Sequence, residues 1–254
     1  MRYSRNLKRA QAFLLAHRLD NRIEMVKLMQ MNYVSPAPLG DSQLALIHAA
    51  ERLTALHGVA GLTIRRINEA AGVRNSSAIH YHFGSVERLL AAVLDYRMGP
   101  INRRRIRILA ELTRDGRIIG MKDVVEALVR PLAEELHRRP DGNFYIRFLW
   151  RTLLDNSDPG GNLLKIDPAL LVGWRTCERH LRRMLRYLPP VVLDFRLRMV
   201  QIQAIAGLAS MEAKFCNDQS SVTPVHLEVE ALIDGLCAML GGPVSPEVLS
   251  QIQE

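Results

Sequence analysis

The sequence predicts an all-α protein, a small N-terminal three-helix module followed by a larger helical domain. Three observations carry that expectation. Apolar residues recur three and four positions apart from Asp41 almost to the end of the chain. Gly and Pro clusters cut this pattern into helix-length pieces. No segment alternates apolar and polar residues with period two for long enough to make a strand.

In chain order, Pro36, Pro38 and Gly40 set off residues 1–40, a basic extension that is either disordered or partly helical. Asp41 or Ser42 is expected to cap a helix over 42–57, with Leu44, Ile47, Ala50, Leu53 and Leu56 on one stripe and Gly58 at its end. Thr63 caps a short helix reaching Ala71 that turns Ile64 and Ile67 inward, and Gly72 closes it. After the turn over 72–75, Ser76 or Ser77 opens a second short helix that ends at Phe83 and buries Ala78, Ile79 and Phe83. Gly84 and Ser85 then restart the chain into a long helix that buries Leu89, Leu90, Val93 and Leu94 and continues, kinked at Pro100, to about Leu112. Residues 41–88 make the module and 89–254 the larger domain. In the latter, helices are expected over 121–137, 144–156, 168–188, 191–215, 224–240 and 246–252.

Composition excludes several classes. With 254 residues, 48% hydrophobic and 24% charged, the chain is neither collagen-like, nor a disulfide scaffold, nor wholly disordered. No apolar run approaches the roughly 18 residues of a membrane span, and the apolar piece after the N-terminal charges is too short for a signal peptide. A cytoplasmic protein without a membrane partner is expected. Cys177, Cys216 and Cys237 are widely spaced and read as small core residues.

The net charge of +8 is unevenly placed: residues 1–40 carry +5, 41–88 carry +1, 89–117 carry +4 and 118–254 carry −2. A basic front and a near-neutral back suggest that one end meets a polyanion. Two short helices joined by a tight Gly-containing turn make a helix-turn-helix in outline. An exposed helix of that size can place its first side chains on base edges in the DNA major groove. Ile79 and Phe83 supply its core face, which leaves Arg74, Asn75, Ser76, Ser77, His80 and Tyr81 outside.

The stretches Thr63 to Val73, Ala78-Ile-His-Tyr-His-Phe-Gly84 and Ser85 to Ala91 resemble, in order and spacing, the signature segments of the TetR family of bacterial transcriptional regulators. The resemblance covers about residues 42–95. Two departures stand out. One extra residue lies between Val73 and Phe83, so that His80 stands where the family usually has a phosphate-contacting Tyr, and Tyr81 follows it. Val86 replaces the Lys common after Gly-Ser, and Arg2, Arg5, Lys8 and Arg9 of the extension are candidates to compensate.

The roles divide by chemistry. Thr63, at a helix N-terminus, with Arg65 or Arg66 and with Tyr81 or His80, is assigned to phosphate positioning. Arg74, Asn75, Ser76 and Ser77 are assigned to base readout, because Arg matches guanine O6/N7 and Asn matches adenine N6/N7. For Ser76, helix capping is the competing reading.

The resemblance further implies a homodimer on a palindromic DNA operator, built from the helices over 191–215 and 224–240. In those helices Val200, Ile205, Leu208, Leu232, Leu236 and Met239 accompany the small Ala204, Ala206, Gly207 and Ala209, with plain internal core as the competing reading. It also implies a small-molecule effector in the larger domain, the dimerisation and ligand-binding domain. Candidate walls are Phe144, Phe148, Trp150, Leu153, Trp174, Cys177, Met184 and Met199, with Arg147, Arg175 or His180 as polar anchors and plain packing as the competing reading. An apolar effector that releases a repressor from its operator is the expectation.

Other chemistries have little to stand on. His80 and His82 lack a third ligand at metal spacing, so no metal or cofactor is expected, and no catalytic signature is present. Two alternatives remain: an architectural DNA-binding protein without an effector, or a helical enzyme or binding module with a reading head attached. Arg103, Arg104, Arg105 and Arg107 read as a solvated helix face, with nucleic-acid contact as the competing reading, and Arg179, Arg182, Arg183 and Arg186 as binders of acidic partners in the same protein or of an anionic ligand head group.

Overall fold

The computed structural model describes residues 39–114, 117–137, 143–155, 171–216 and 223–252. The basic extension with Arg2, Arg5, Lys8 and Arg9 lies outside them, as do the first residues of the helix expected over 168–188. The described residues form helices and turns, with no strand among them.

Helix α1 spans Asp41–His57. Gly40 takes its cap, rather than Asp41 or Ser42: the Gly40 N–H donates to Gln43 Oε1 at 3.0 Å, and Asp41 falls in the first turn, where the helix dipole favours an acid. A short 3₁₀ turn, Val59–Gly61, leads to α2, Ile64–Ala70, and then to α3, Ala78–Phe83. Leu46, Ile47 and Ala50 of α1, Ile67 of α2, and Ala78 and Ile79 of α3 close the module's core.

Helix α4 runs unbroken over Val86–Arg114 with Pro100 inside it, so the expected boundary at 88/89 falls within one helix. Pro100 has no N–H, and the helix loses one hydrogen bond there. Its buried ridge repeats every fourth residue: Val93, Arg97, Ile101, Arg105, Leu109.

The remaining helices are α5 (Met121–Ala133, extended by the 3₁₀ turn Glu134–His137), α6 (Tyr145–Asp155), α7 (Val172–Met184), α8 (Pro190–Cys216), α9 (Val225–Gly241) and α10 (Pro246–Ile252). Helix α1 packs on both α4 and α6, tying the module to the body. Across that seam Arg97 grips Glu51 of α1 with two bonds of 2.7 and 2.9 Å, and Glu135 stands 3.6 Å from the same guanidinium. The N-terminus of α6 is capped from α8, where the buried Glu212 carboxylate accepts from the N–H groups of Ile146 (3.0 Å) and Arg147 (2.9 Å).

Two expectations are corrected. The arginine run is no solvated face: Arg103 and Arg107 are exposed and Arg104 pairs with Glu134 at 2.7 Å, but Arg105 is only 4% exposed. Its position between Ile101 and Leu109 puts it on the inward ridge whatever its charge. In addition, Val200, Ile205, Leu208, Leu236, Ala204 and Ala209, expected at a dimer face, are buried within the single chain. Gly207 permits that packing, since a Cβ there would meet Leu232 Cδ1 at 3.0 Å.

Candidate nucleic-acid interface and buried cavity

Helix α2 starts at Thr63, whose Oγ1 accepts from Arg66 N at 3.2 Å. It ends in a double turn, Gly72 N to Glu69 O and Val73 N to Asn68 O, that needs the left-handed φ of +66° at Gly72. Asn68 then reaches out of the core and donates to the carbonyls of Asn75 and Ser76 at 3.5 and 3.4 Å, clamping the turn against α2. Asn75 Oδ1 accepts from Ser77 N at 2.9 Å, so Asn75 shapes the entry to α3 and Ser77 takes the cap position without a side-chain bond. The extra residue between Val73 and Phe83 is therefore absorbed in the turn, which leaves α3 with the six residues Ala78–Phe83.

The outward side chains stand clear. Thr63, Arg65, Arg66, Arg74, Asn75, Ser76, Ser77, His80 and Tyr81 are all exposed, while Ile67 and Ile79 of the same two helices are buried. Some have local partners: Arg65 pairs with Glu69 at 2.8 Å, and Arg66 donates to Gly61 O at 2.7 Å. His80 Nδ1 donates to Gly84 O at 2.8 Å, which ties its ring to the helix end. Tyr81 is 83% exposed, its ring edge-on to His82 at 4.9 Å. Val86, in the place of the family's Lys, packs half-buried against the core.

The larger domain contains a cavity of about 160 Å³ among α4, α5, α6, α7 and α8. Leu94, Met98, Leu128, Leu149, Trp174 and Ile205 are among its apolar walls, with the Arg105 guanidinium in their midst. Of the side chains assigned to a ligand from the sequence, Trp174 and Leu153 line this space. Phe148 is buried and stacked on Tyr145 at 6.2 Å. Phe144 lies under the guanidinium groups of Arg52 (5.6 Å) and Arg147 (5.0 Å), and Arg147 is held by Glu212 at 3.2 Å. Arg147 and Trp150 face a separate, more open hollow between α1, α6 and α8. Cys177 is buried, and its burial pushes the thiol up to about 11, the state of an inert core cysteine. His180 and Met184 are half-buried on α7, outside the cavity wall. Arg182 pairs with Glu178 and Asp194, acids of its own chain.

Sequence reasoning missed Arg105 and Glu51. In both cases the usable signal was a charged residue in phase with the apolar stripe: Glu51 four positions after Ile47, and Arg105 four after Ile101. No group of His, Cys, Asp and Glu able to hold a metal occurs among the described residues, and none of their helices is long and apolar enough to cross a membrane.

Residues 46–93 match the family described as bacterial regulatory proteins, tetR family. No curated protein matches the chain. Among solved structures the chain is similar to the fatty acid degradation regulator FadR from Bacillus halodurans, with 16% identity over 79% of this chain and 98% of that one and a TM-score of 0.49. It is also similar to BioQ from Mycobacterium smegmatis, with 18% identity over 76% and 97% and a TM-score of 0.45. The TetR-like transcriptional regulator LfrR from Mycobacterium smegmatis, solved in complex with proflavine, gives 17% identity over 81% and 99% and a TM-score of 0.45.

Proposed function

We propose that the chain, whose residues 46–93 match the family described as bacterial regulatory proteins, tetR family, is a DNA-binding regulator that represses transcription as a homodimer on a palindromic operator and is released by a small apolar effector. The observation that carries this reading is the outward set at α2 and α3. Six polar or aromatic side chains, Arg74 to Ser77, His80 and Tyr81, are exposed on a short helix and its entry turn. Such an element fits the major groove.

Base edges fall to Arg74, Asn75, Ser76 and Ser77. Phosphates fall to the α2 N-terminus at Thr63, to Arg65 and Arg66, and to Tyr81 rather than His80, since the His80 ring is already tied to Gly84. The dimer reading is supported by an uncovered face on α9: Leu227, Ala231, Gly235 and Ala238 share one side and are exposed, and a Cβ at Gly235 would meet nothing within 4 Å. Helix α8 adds the exposed Val191 and Phe195. The effector reading is supported by the cavity; an architectural protein would have no use for that hole in its core.

The test is fluorescence anisotropy with DNA flanking the chain's own gene. A palindrome-selective complex that weakens steeply with added salt is expected, and equal affinity for scrambled DNA would sink the reading. Asn75→Ala should relax preference at one operator position by about 1–3 kcal/mol, whereas Tyr81→Phe should weaken all sequences alike. Light scattering should return twice 28.7 kDa.

A further inference from the structure

We propose that the cavity of the larger domain recognises a monocarboxylate: a compact apolar acid whose carboxylate is gripped by Arg105 and whose hydrocarbon or aromatic body fills the Leu, Met and Trp walls. This rests on the effector reading above and names the effector's class.

Arg105 carries a charge that has no counter-charge among the described residues. Arg105 is 4% exposed, and its guanidinium makes four contacts to three acceptors, all uncharged. Nε and Nη2 donate to the carbonyl of Leu128 at 3.3 and 3.1 Å. Nη1 reaches Asn102 Oδ1 at a long 3.5 Å and Met98 Sδ at 3.8 Å. No carboxylate among the described residues pairs with it. A guanidinium has five N–H donors in a fixed fork, so these four contacts leave one donor free and hold the two Nη1 donors only loosely. Burial opposes its charge and pulls its pKa below the ordinary value, with Cys177 and Tyr145 offsetting only in part. Arginine nevertheless stays protonated in proteins, so the cation persists.

Burying such a charge without an anion is costly, and a core of this kind would be more stable with an apolar residue there. The group is also held in place. A Cβ at Gly173 of α7 would run into the Asn102 side chain and come within 3.1 Å of Arg105 Cδ, so the glycine lets α7 lie directly on this pair. Arg105 is thus a fixed, desolvated cation set into the wall of an otherwise apolar space. The Leu128 carbonyl takes the Nε–Nη2 edge, so a carboxylate, the planar anion that suits a guanidinium, would meet the Nη1–Nη2 side, whose present contacts are long; such charge-assisted bonds are stronger than neutral ones.

Size narrows the class further. The volume of about 160 Å³ is close to that of an engineered apolar cavity that admits benzene. That space holds the body of an acid of benzoate or short-acyl size. The Gln201 amide on the same wall is a second polar point for its orientation.

The experiment is calorimetry and thermal shift on the full-length protein with benzoate, phenylacetate and hexanoate. Each acid is set against its amide and against a hydrocarbon of the same shape, toluene or hexane. The carboxylates are expected to bind about ten- to a hundredfold more tightly than the amides, and to release operator DNA. Arg105→Met should reverse the order, so that the neutral compounds bind at least as well as the acids. Arg105→Lys, which keeps the charge and loses the fork, should retain part of the preference. Should wild type take toluene or the amides as tightly as the acids, or Arg105→Met keep the acid preference, the carboxylate assignment is overturned while the effector reading stands. If no compound of either series binds or releases DNA, both fall.

Discussion

Arg97 and Arg105 lie about two turns apart on the same buried ridge of α4, each only 4% exposed, yet they meet opposite surroundings. Arg97 is held by Glu51 and Glu135 across the seam between the module and the body. Burial works against its charge, but the Glu51 bond and the fields of both carboxylates outweigh it, leaving the guanidinium above its ordinary value. Arg105 meets only carbonyls and a thioether, and burial leaves it below. The same residue type at the same depth of one helix is a structural tie in the first case and an unanswered charge in the second. Burial alone does not assign a role to a charged side chain; its partners do.

The largest test of that contrast is Arg97→Met. Removing the cation strands two buried carboxylates, and unfolding stability should drop by about 3–5 kcal/mol in urea denaturation. Arg105→Met gives up bonds to neutral acceptors but strands no charge, and should leave stability level or raised; a comparable loss in both variants would erase the distinction. A smaller effect is expected from Gly173→Ala, whose new methyl must displace Asn102 or Arg105. It should cost about 1–3 kcal/mol by overpacking, and a variant as stable as wild type would show that Arg105 is not pinned from α7.

The smallest effect extends the contrast to an acid. Burial, against the opposing bonds from Arg147 and Ile146, raises the Glu212 carboxyl to about 7 from its usual 4.5. Between those values the folded chain holds a proton that the unfolded chain has released. Stability from this group is therefore full below about 4.5 and is lost as pH rises through about 7. Denaturation midpoints of wild type should fall relative to Glu212→Gln across that window and run parallel above it; parallel curves throughout would contradict the assignment.

Much of this was legible from residue spacing. Thr63, Gly72, Ile79, Phe83 and Gly84 specify a small module in which every side chain has one local task, and caps and turns are written within a few residues of where they act. The cavity was less so, because its walls come from five helices and from positions as far apart as Leu94 and Ile205, and spacing along one helix says nothing about which neighbours leave a gap. Phe144, Arg147 and Phe148 looked like ligand contacts by residue type; Arg52 of α1 and Glu212 of α8 engage the first two, and Tyr145 of the same helix stacks on the third. Arg105 resembled surface charge because three other arginines surround it in the chain, and only its phase with Ile101 and Leu109 marked it as inward.

Helix α4 has 29 residues, and at ~1.5 Å per residue it is a rod of roughly 43 Å. Its first turns carry the reading module and its middle borders the cavity. A tilt of about 5° at one end of such a lever displaces the other by about 4 Å, near the ~3.4 Å separating successive bases. The bond absent at Pro100 is the one an N–H there would make to the Tyr96 carbonyl, so the place where this lever yields most readily lies beside the grip on Glu51 and between cavity walls, Leu94 before it and Arg105 after it.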